Sequence, residues 1–263
     1  MSNVNVNHSL IINMKDETIP RAAGMEIVDG DAYIILRKTD TSAKHAVKLV
    51  KVTDVESNNH SIDKCLLKID TTNTAVAEHA NSLTYGNGKF YMATLNKTGS
   101  KILSFDASGK IIDHISWSKD ISAVCYYGMS SNTARFIVEN LASGTYTYYI
   151  CDFSGAQVSN VSTLCTLKRP SGYVGNGFYY DRKTGHLHKI LYLKESPIRK
   201  NKIIEYSISS GKCTEVRTLI DNGAVDHKYE IEGMSIYNNK KYVCANIKVE
   251  LDEKIGLYKL YAE

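Results

Sequence analysis

The chain has 263 residues, 43% hydrophobic and 23% charged, with a net charge of +4 from 32 basic and 28 acidic side chains. A chain of this length can bury a full core, and all-β domains of this size are often single. The charge is too balanced and too evenly spread for nucleic-acid binding, no apolar run approaches a membrane-spanning length, and the start, MSNVNVNHSLIINMKDE, lacks the basic and apolar regions of a secretory leader. The expected location is the cytoplasm, or outside the cell after release without a classical signal peptide, and the expected state is a monomer.

There are 18 tyrosines against 3 prolines. Tyr, Thr, Val and Ile suit pleated surfaces, and long segments with helical periodicity are missing. Residues 4–13, VNVNHSLIIN, read as a strand without a nearby partner. A four-strand unit follows, with strands near 24–29, 31–38, 46–53 and 63–70. A second has strands near 81–86, 89–95, 101–107 and 110–117. A third spans about 121–167 and a fourth about 172–220. The fifth, 228–262, holds only three strands: EGMSIYN, KKYVCANI and KIGLYKLYA.

Repeats support this division. AAGMEIVDGDAYIIL (22–36) and HANSLTYGNGKFYMATL (79–95) share the shape of EIEGMSIYNNKKYVCA (230–245). Gly24 to Tyr33 and Gly233 to Tyr242 are both nine residues apart. Asp106-Ala-Ser-Gly109 and Asp152-Phe-Ser-Gly155 lie 46 residues apart, each after a third strand. The pattern predicts an all-β, single five-bladed β-propeller over 1–263, with blades at about 22–70, 79–117, 121–167, 172–220 and 228–262 plus 4–13. The N-terminal strand supplies the missing strand of the last blade, because closure removes exposed sheet edges.

Six cysteines (Cys65, Cys125, Cys151, Cys165, Cys213, Cys244) show no C-x-x-C spacing, so free, buried thiols are expected and a zinc site is not. In a propeller the innermost strand of each blade lines a central channel. Alignment on Gly24, Asn81 and Gly233 brings Arg21, Glu26, Glu78, His79, Asn81, Asn176, Glu230 and Glu232 toward one channel end. Glu230 and Glu232 alternate with Ile231, so both are expected on one face. Two such carboxylates repel unless a cation, an Arg or Lys, or water separates them, and hard oxygen ligands suit Ca²⁺ or another divalent cation. His79 is a candidate catalytic base. Solvated rim carboxylates paired with Arg21 or Lys228, and a structural His79, are the plainer alternatives. Tyr126, Tyr127, Tyr179 and Tyr180 read first as strand formers and second as a sugar-stacking surface. His186 and His188, two apart on a strand, read as exposed or as a weak metal pair. There is no phosphate loop, G-x-S-x-G elbow or H-E-x-x-H.

His79-Ala-Asn-Ser-Leu-Thr-Tyr with Phe90-Tyr-Met-Ala-Thr94, and Glu230-Ile-Glu-Gly-Met with Ile255-Gly-Leu-Tyr-Lys-Leu, resemble the helveticin J-like bacteriocin family of propeller proteins. The resemblance covers about a quarter of the chain. It implies an antimicrobial, non-enzymatic propeller that recognises a small-molecule, glycan or cell-envelope ligand through His79, Asn81, Glu26, Asn176, Glu230 and Glu232. The alternative is a divalent-metal-dependent hydrolase or lyase at the channel mouth. A third reading is a plain scaffold that uses its rim loops.

Overall fold

In the computed structural model, the described residues are 6–12, 21–37, 46–57, 62–70, 80–94, 100–193, 200–209, 211–221, 228–249 and 252–260. They form strands and turns, and no helix occurs among them. None, therefore, is a helix long and apolar enough to cross a membrane.

The chain is a five-bladed β-propeller. Blade I holds β2 (Arg21–Val28), β3 (Asp31–Arg37), β4 (Ala46–Val52) and β5 (Ile62–Asp70). Blade II holds β6 (Ala80–Gly86), β7 (Lys89–Thr94), β8 (Lys101–Phe105) and β9 (Ile111–Ser116). Blade III holds β10 (Ile121–Ser130), β11 (Thr133–Ala142), β12 (Thr145–Ser154) and β13 (Gln157–Lys168). Blade IV holds β14 (Tyr173–Asp181), β15 (His186–Leu193), β16 (Asn201–Ser209) and β17 (Lys212–Asp221). Blade V holds β18 (Lys228–Tyr237), β19 (Lys240–Val249) and β20 (Asp252–Leu260), and its outer strand is β1 (Val6–Ile12). β1 pairs antiparallel with β20, from Val6 opposite Leu260 to Ile12 opposite Ile255. The N-terminal strand closes the ring, as its lack of a local partner predicts.

The turns joining first to second strands are tight, as in Asp29-Gly30 and Asn87-Gly88, where both residues take positive φ. Such turns match the twist of the strands they join. The two D-x-S-G segments occupy equivalent ladder positions but act differently. Asp106 Oδ1 accepts hydrogen bonds from Ser108 N, Ser108 Oγ and Lys110 N and closes the turn. Asp152 stays inside β12, opposite Arg135 on one side and Ser159 on the other.

The apolar core is five layers, one in each gap between neighbouring blades. Ala22, Ile34 and Val50 of blade I face Tyr242, Ile255 and Leu257 of blade V. Ile35 and Leu49 meet Leu83, Phe90 and Phe105 of blade II. Tyr91 and Ile115 meet Phe136 and Phe153, Ile137 and Tyr148 meet Leu187 and Tyr206, and Ile190 and Ile203 meet Ile231 and Val243. Each middle strand is buried on both faces, which is why its apolar residues do not alternate. Fully burying one such side chain stabilises the fold by about 1.5–3 kcal/mol.

Blades III and IV are joined at their outer strands as well. Thr166 of β13 pairs in parallel with Lys212 of β17, and Cys165 and Cys213 beside them form a disulfide with Cα atoms 6.0 Å apart. This corrects the expectation of free thiols throughout. The 48-residue separation carries no spacing signal, and only blade packing brings the pair together. Cys125, Cys151 and Cys244 are free and buried, as expected. The side chain of Cys65 lies outside the described residues.

Candidate site at the channel mouth

All five inner strands carry a bulge near their start, at the same place in each blade. The register shifts fall between Ala22 and Gly24, Ala80 and Ser82, Ile121 and Ala123, Gly175 and Gly177, and Ile231 and Gly233. The extra residues are Ala23, Asn81, Ser122, Asn176 and Glu232. A bulge re-aims the side chain of its extra residue, so four polar groups share one position at the mouth where the inner strands begin. This frame corrects the alignment on Asn81: its equivalents are Ala23 and Glu232, while Gly24 and Gly233 correspond to Ser82.

Below the bulges the inner strands nearly touch. A Cβ on Gly24 would lie 2.8 Å from Leu83 N, and one on Gly233 2.7 Å from Met25 N. The crevice between Gly24, Asn81, Asn176 and Glu232 holds only about 10 Å³.

Glu230 and Glu232 are buried, at 9% and 6% exposure, rather than standing as bare, repelling carboxylates. Asn176 Nδ2 donates to Glu230 Oε1 at 3.1 Å and to Ile231 O at 2.9 Å. Asn246 Nδ2 donates to Glu232 Oε1 at 2.8 Å. The same amide clamps blade I, with Ala22 N donating to Asn246 Oδ1 at 2.7 Å and Asn246 Nδ2 to Ala22 O at 3.2 Å. Arg37 lies close enough to feel Glu232: burial lowers the pKa of its guanidinium, and the Glu232 charge opposes that shift. The bulge also puts Glu232 outside the simple alternation that places it on the same face as Glu230. His79 and Glu78 lie outside the described residues.

Glu26 is not at the mouth. Two residues past each bulge-following position stand Glu26, Thr84, Cys125, Tyr179 and Ser235, one per blade. They converge on the axis. Ser235 Oγ donates to Glu26 Oε1 at 2.6 Å, and Thr84 Oγ1 donates to Glu26 Oε2 at 3.2 Å. Burial raises the Glu26 pKa, and hydrogen bonds from Ser235, Ile27 N, Thr84 and Tyr85 N offset part of the rise. The Cys125 thiol is pushed up to about 12, first by burial and next by Glu26.

The sequence reading missed the most deeply buried ion pair among the described residues. Lys189 Nζ lies 2.9 and 2.7 Å from the two oxygens of Glu139 and 3.1 Å from Gly177 O. Ser122 Oγ donates to Glu139 Oε1 at 2.6 Å, and the ammonium sits 4.0 Å from the Tyr146 ring centroid. The signal was present: a lone charge in each of two apolar strands, FIVENL and HLHKIL, which burial tolerates only when charges pair.

The other flagged residues take structural positions, although neither ring nitrogen of His188 has a hydrogen-bond partner. His186 Nδ1 lies 2.6 Å from Glu205 Oε1, and Arg217 Nε donates to Glu205 Oε2 at 2.7 Å. His188 is buried, and burial lowers its pKa to about 4. Tyr126 packs on Phe136, Tyr179 belongs to the axial set, and Tyr127 stacks on Tyr180. Among the described residues no three His, Cys, Asp or Glu side chains gather as a metal site would require. Glu230 and Glu232 alone do not make up the six to eight oxygens of a Ca²⁺ site.

No family model and no curated protein matches the chain. Solved structures do. A Bacteroides ovatus protein described as Xyloglucan PUL GH43B is 12% identical, with a TM-score of 0.64 over 99% of this chain. The chain spans 55% of that protein. A GH43_1 enzyme from Xanthomonas citri complexed with xylose is 8% identical, with a TM-score of 0.60 over 99% of this chain and 90% of that one. The tail fiber of Staphylococcus aureus phage P68 is 12% identical, with a TM-score of 0.56 over 98% of this chain and 53% of that one. These likenesses are of fold.

The neighbours overturn the bacteriocin resemblance, because solved propellers that the chain matches are described as GH43 enzymes. The motifs behind the resemblance have a local cause. Glu230-Ile231-Glu232-Gly233 and Ala80-Asn81-Ser82 span the bulges at the starts of two inner strands.

Proposed function

We propose that the chain is a carbohydrate-active protein of glycoside hydrolase type, acting at the channel mouth. The observation that carries this reading is the ring of equivalent bulges, which sets Asn81, Ser122, Asn176 and Glu232 around one opening with Glu230 beside them. Its support from outside the chain is the likeness of fold to solved structures described as a GH43 protein, a β-xylosidase and an exo-β-1,3-galactanase. Glycoside hydrolysis needs two carboxyl groups, one protonating the leaving oxygen and one acting as base or nucleophile. Glu230 and Glu232 are the candidates, with Asn81 offering its side-chain amide to sugar hydroxyls. The Asn176 and Asn246 amides hold the two carboxylates in place, which general acid–base work requires.

The test is release of nitrophenol from nitrophenyl xyloside, arabinofuranoside and galactoside, with Glu230→Gln and Glu232→Gln as separate variants. Each variant is expected to lower turnover by about 10²–10⁴-fold. Saccharide binding without turnover by the native protein would favour a second reading, a non-catalytic glycan receptor. The match to a phage tail fiber favours that second reading. Neither binding nor turnover would end both.

A further inference from the structure

The opposite face of the propeller carries a cleft of about 180 Å³ between blades II and III. It lies among the turns that follow β6, β10 and β12, away from the mouth. Its walls and floor come from separate strands, so the blade packing builds it.

Asp113 of β9 and Lys89 of β7 stand side by side in it, with Lys89 Nζ 3.5 Å from Asp113 Oδ2. Ser104 Oγ donates to that same Oδ2 at 2.9 Å and fixes the carboxylate. The other oxygen, Oδ1, faces Gly155 across the turn after β12: a Cβ there would lie 3.7 Å from it. Gly155 has φ of 56°, so the turn keeps this approach clear of any side chain. Asn87 and Asn132 add amide groups from two further turns. Tyr91 forms part of the floor; burial, then the Asp113 charge, pushes its pKa up to about 12, so its hydroxyl stays a neutral donor.

We infer that this cleft is a second saccharide site, taking one neutral sugar unit. The carboxylate and ammonium cancel, which disfavours an anionic or cationic guest. Fixed acceptors and donors at short spacing suit vicinal hydroxyls, which offer both roles on adjacent carbons. Tyr91 and Phe153 close the floor but are almost wholly buried, so the guest is held by polar contacts. The volume is below the roughly 300–1,000 Å³ of sites for drug-sized ligands, which limits the guest to about one monosaccharide. No catalysis is assigned, because the cleft has a single carboxylate. The inference stands independently of the reading of the mouth.

Backbone amide shifts of isotope-labelled protein, titrated with xylotriose and with β-1,3-galactotriose, test it. Saturable shifts are expected at Asn87–Lys89, Asn132–Ala134 and Ser154–Gly155. Asp113→Ala should remove the anchor, and Gly155→Asn, a residue that tolerates positive φ, should fill the approach to Oδ1. Each is expected to weaken binding at the cleft by about tenfold or more while shifts around Asn81 and Asn176 persist. Glu232→Gln should leave the cleft shifts in place. Absence of cleft shifts in the folded native protein overturns the inference, whether or not the mouth responds. Cleft shifts that survive both cleft variants also overturn it. Loss of mouth shifts alone counts against the mouth reading and leaves the cleft standing.

Discussion

The joints between blades III and IV and between blades V and I solve the same problem by different means. The III–IV joint has a buried ion pair inside, Lys189 with Glu139, and a parallel bridge with a disulfide outside. The V–I joint, among its described residues, combines backbone proximity at Gly24 and Gly233, the Asn246 clamp on Ala22, the Ser235–Glu26 hydrogen bond and a part-exposed ion pair of Glu56 with Lys240. The first joins segments close in sequence. The second joins strands more than two hundred residues apart (the Asn246–Ala22 separation is 224). Closing so long a loop costs entropy that grows only slowly with length, so close packing and hydrogen bonds can offset it, provided nothing intrudes at the contact.

The largest effect should follow from intruding there. Gly233→Val places its Cβ 2.7 Å or less from the backbone of Met25, which cannot yield as a flexible side chain can. A loss above about 4 kcal/mol is expected, read as collapse of the thermal transition. A variant that melts like the native protein would show that the V–I contact is slack.

Next comes the ion pair. Lys189→Met leaves Glu139 charged in a dry site and should cost about 3–5 kcal/mol. Adding Glu139→Leu should recover most of that loss, because the apolar pair has no desolvation penalty. Chemical denaturation of both variants separates the cases, and no recovery would mean that Ser122 and Gly177 need the charged partners.

Cys213→Ser opens the outer staple and should cost about 2–4 kcal/mol. Melting with and without reductant measures the same quantity in the native chain. If reduction changes nothing, the inner ion pair and core hold the III–IV joint unaided.

The smallest effect belongs to Glu26, which links blades I, II and V. Its folded pKa is raised by burial, so the folded state keeps a proton that the unfolded state gives up. Stability is therefore full below the ordinary glutamate range and falls as pH rises through the raised value. Glu26→Gln should flatten that decline and change stability by about 1 kcal/mol, with the gain at neutral rather than acid pH. A variant that is less stable at every pH would mean that the carboxylate's four hydrogen bonds outweigh its desolvation.

Much of the fold was legible. Turn residues, the period of the blades and the orphan strand at 6–12 depend on local chemistry, which a sequence displays. That Asn81, Asn176 and Glu232 are neighbours was also legible, because each inner strand begins in a similar way. Their partners were not. Asn246 and Arg37 reach the mouth from second strands, and no spacing connects them to β18. Glu26 was misplaced by depth, since strand alternation gives the facing of a side chain but not its height along the axis. The Cys165–Cys213 bond and the Glu139–Lys189 pair depend on which outer and middle strands face each other, and that is settled by three-dimensional packing.

The axial set of Glu26, Thr84, Cys125, Tyr179 and Ser235 has a consequence for traffic. With these side chains meeting at the centre and the glycine contacts above them, the axis is a blind alley. Whatever enters at the mouth leaves by the mouth, and a long polymer cannot be threaded through the ring. Exchange between the two faces has to go around the molecule.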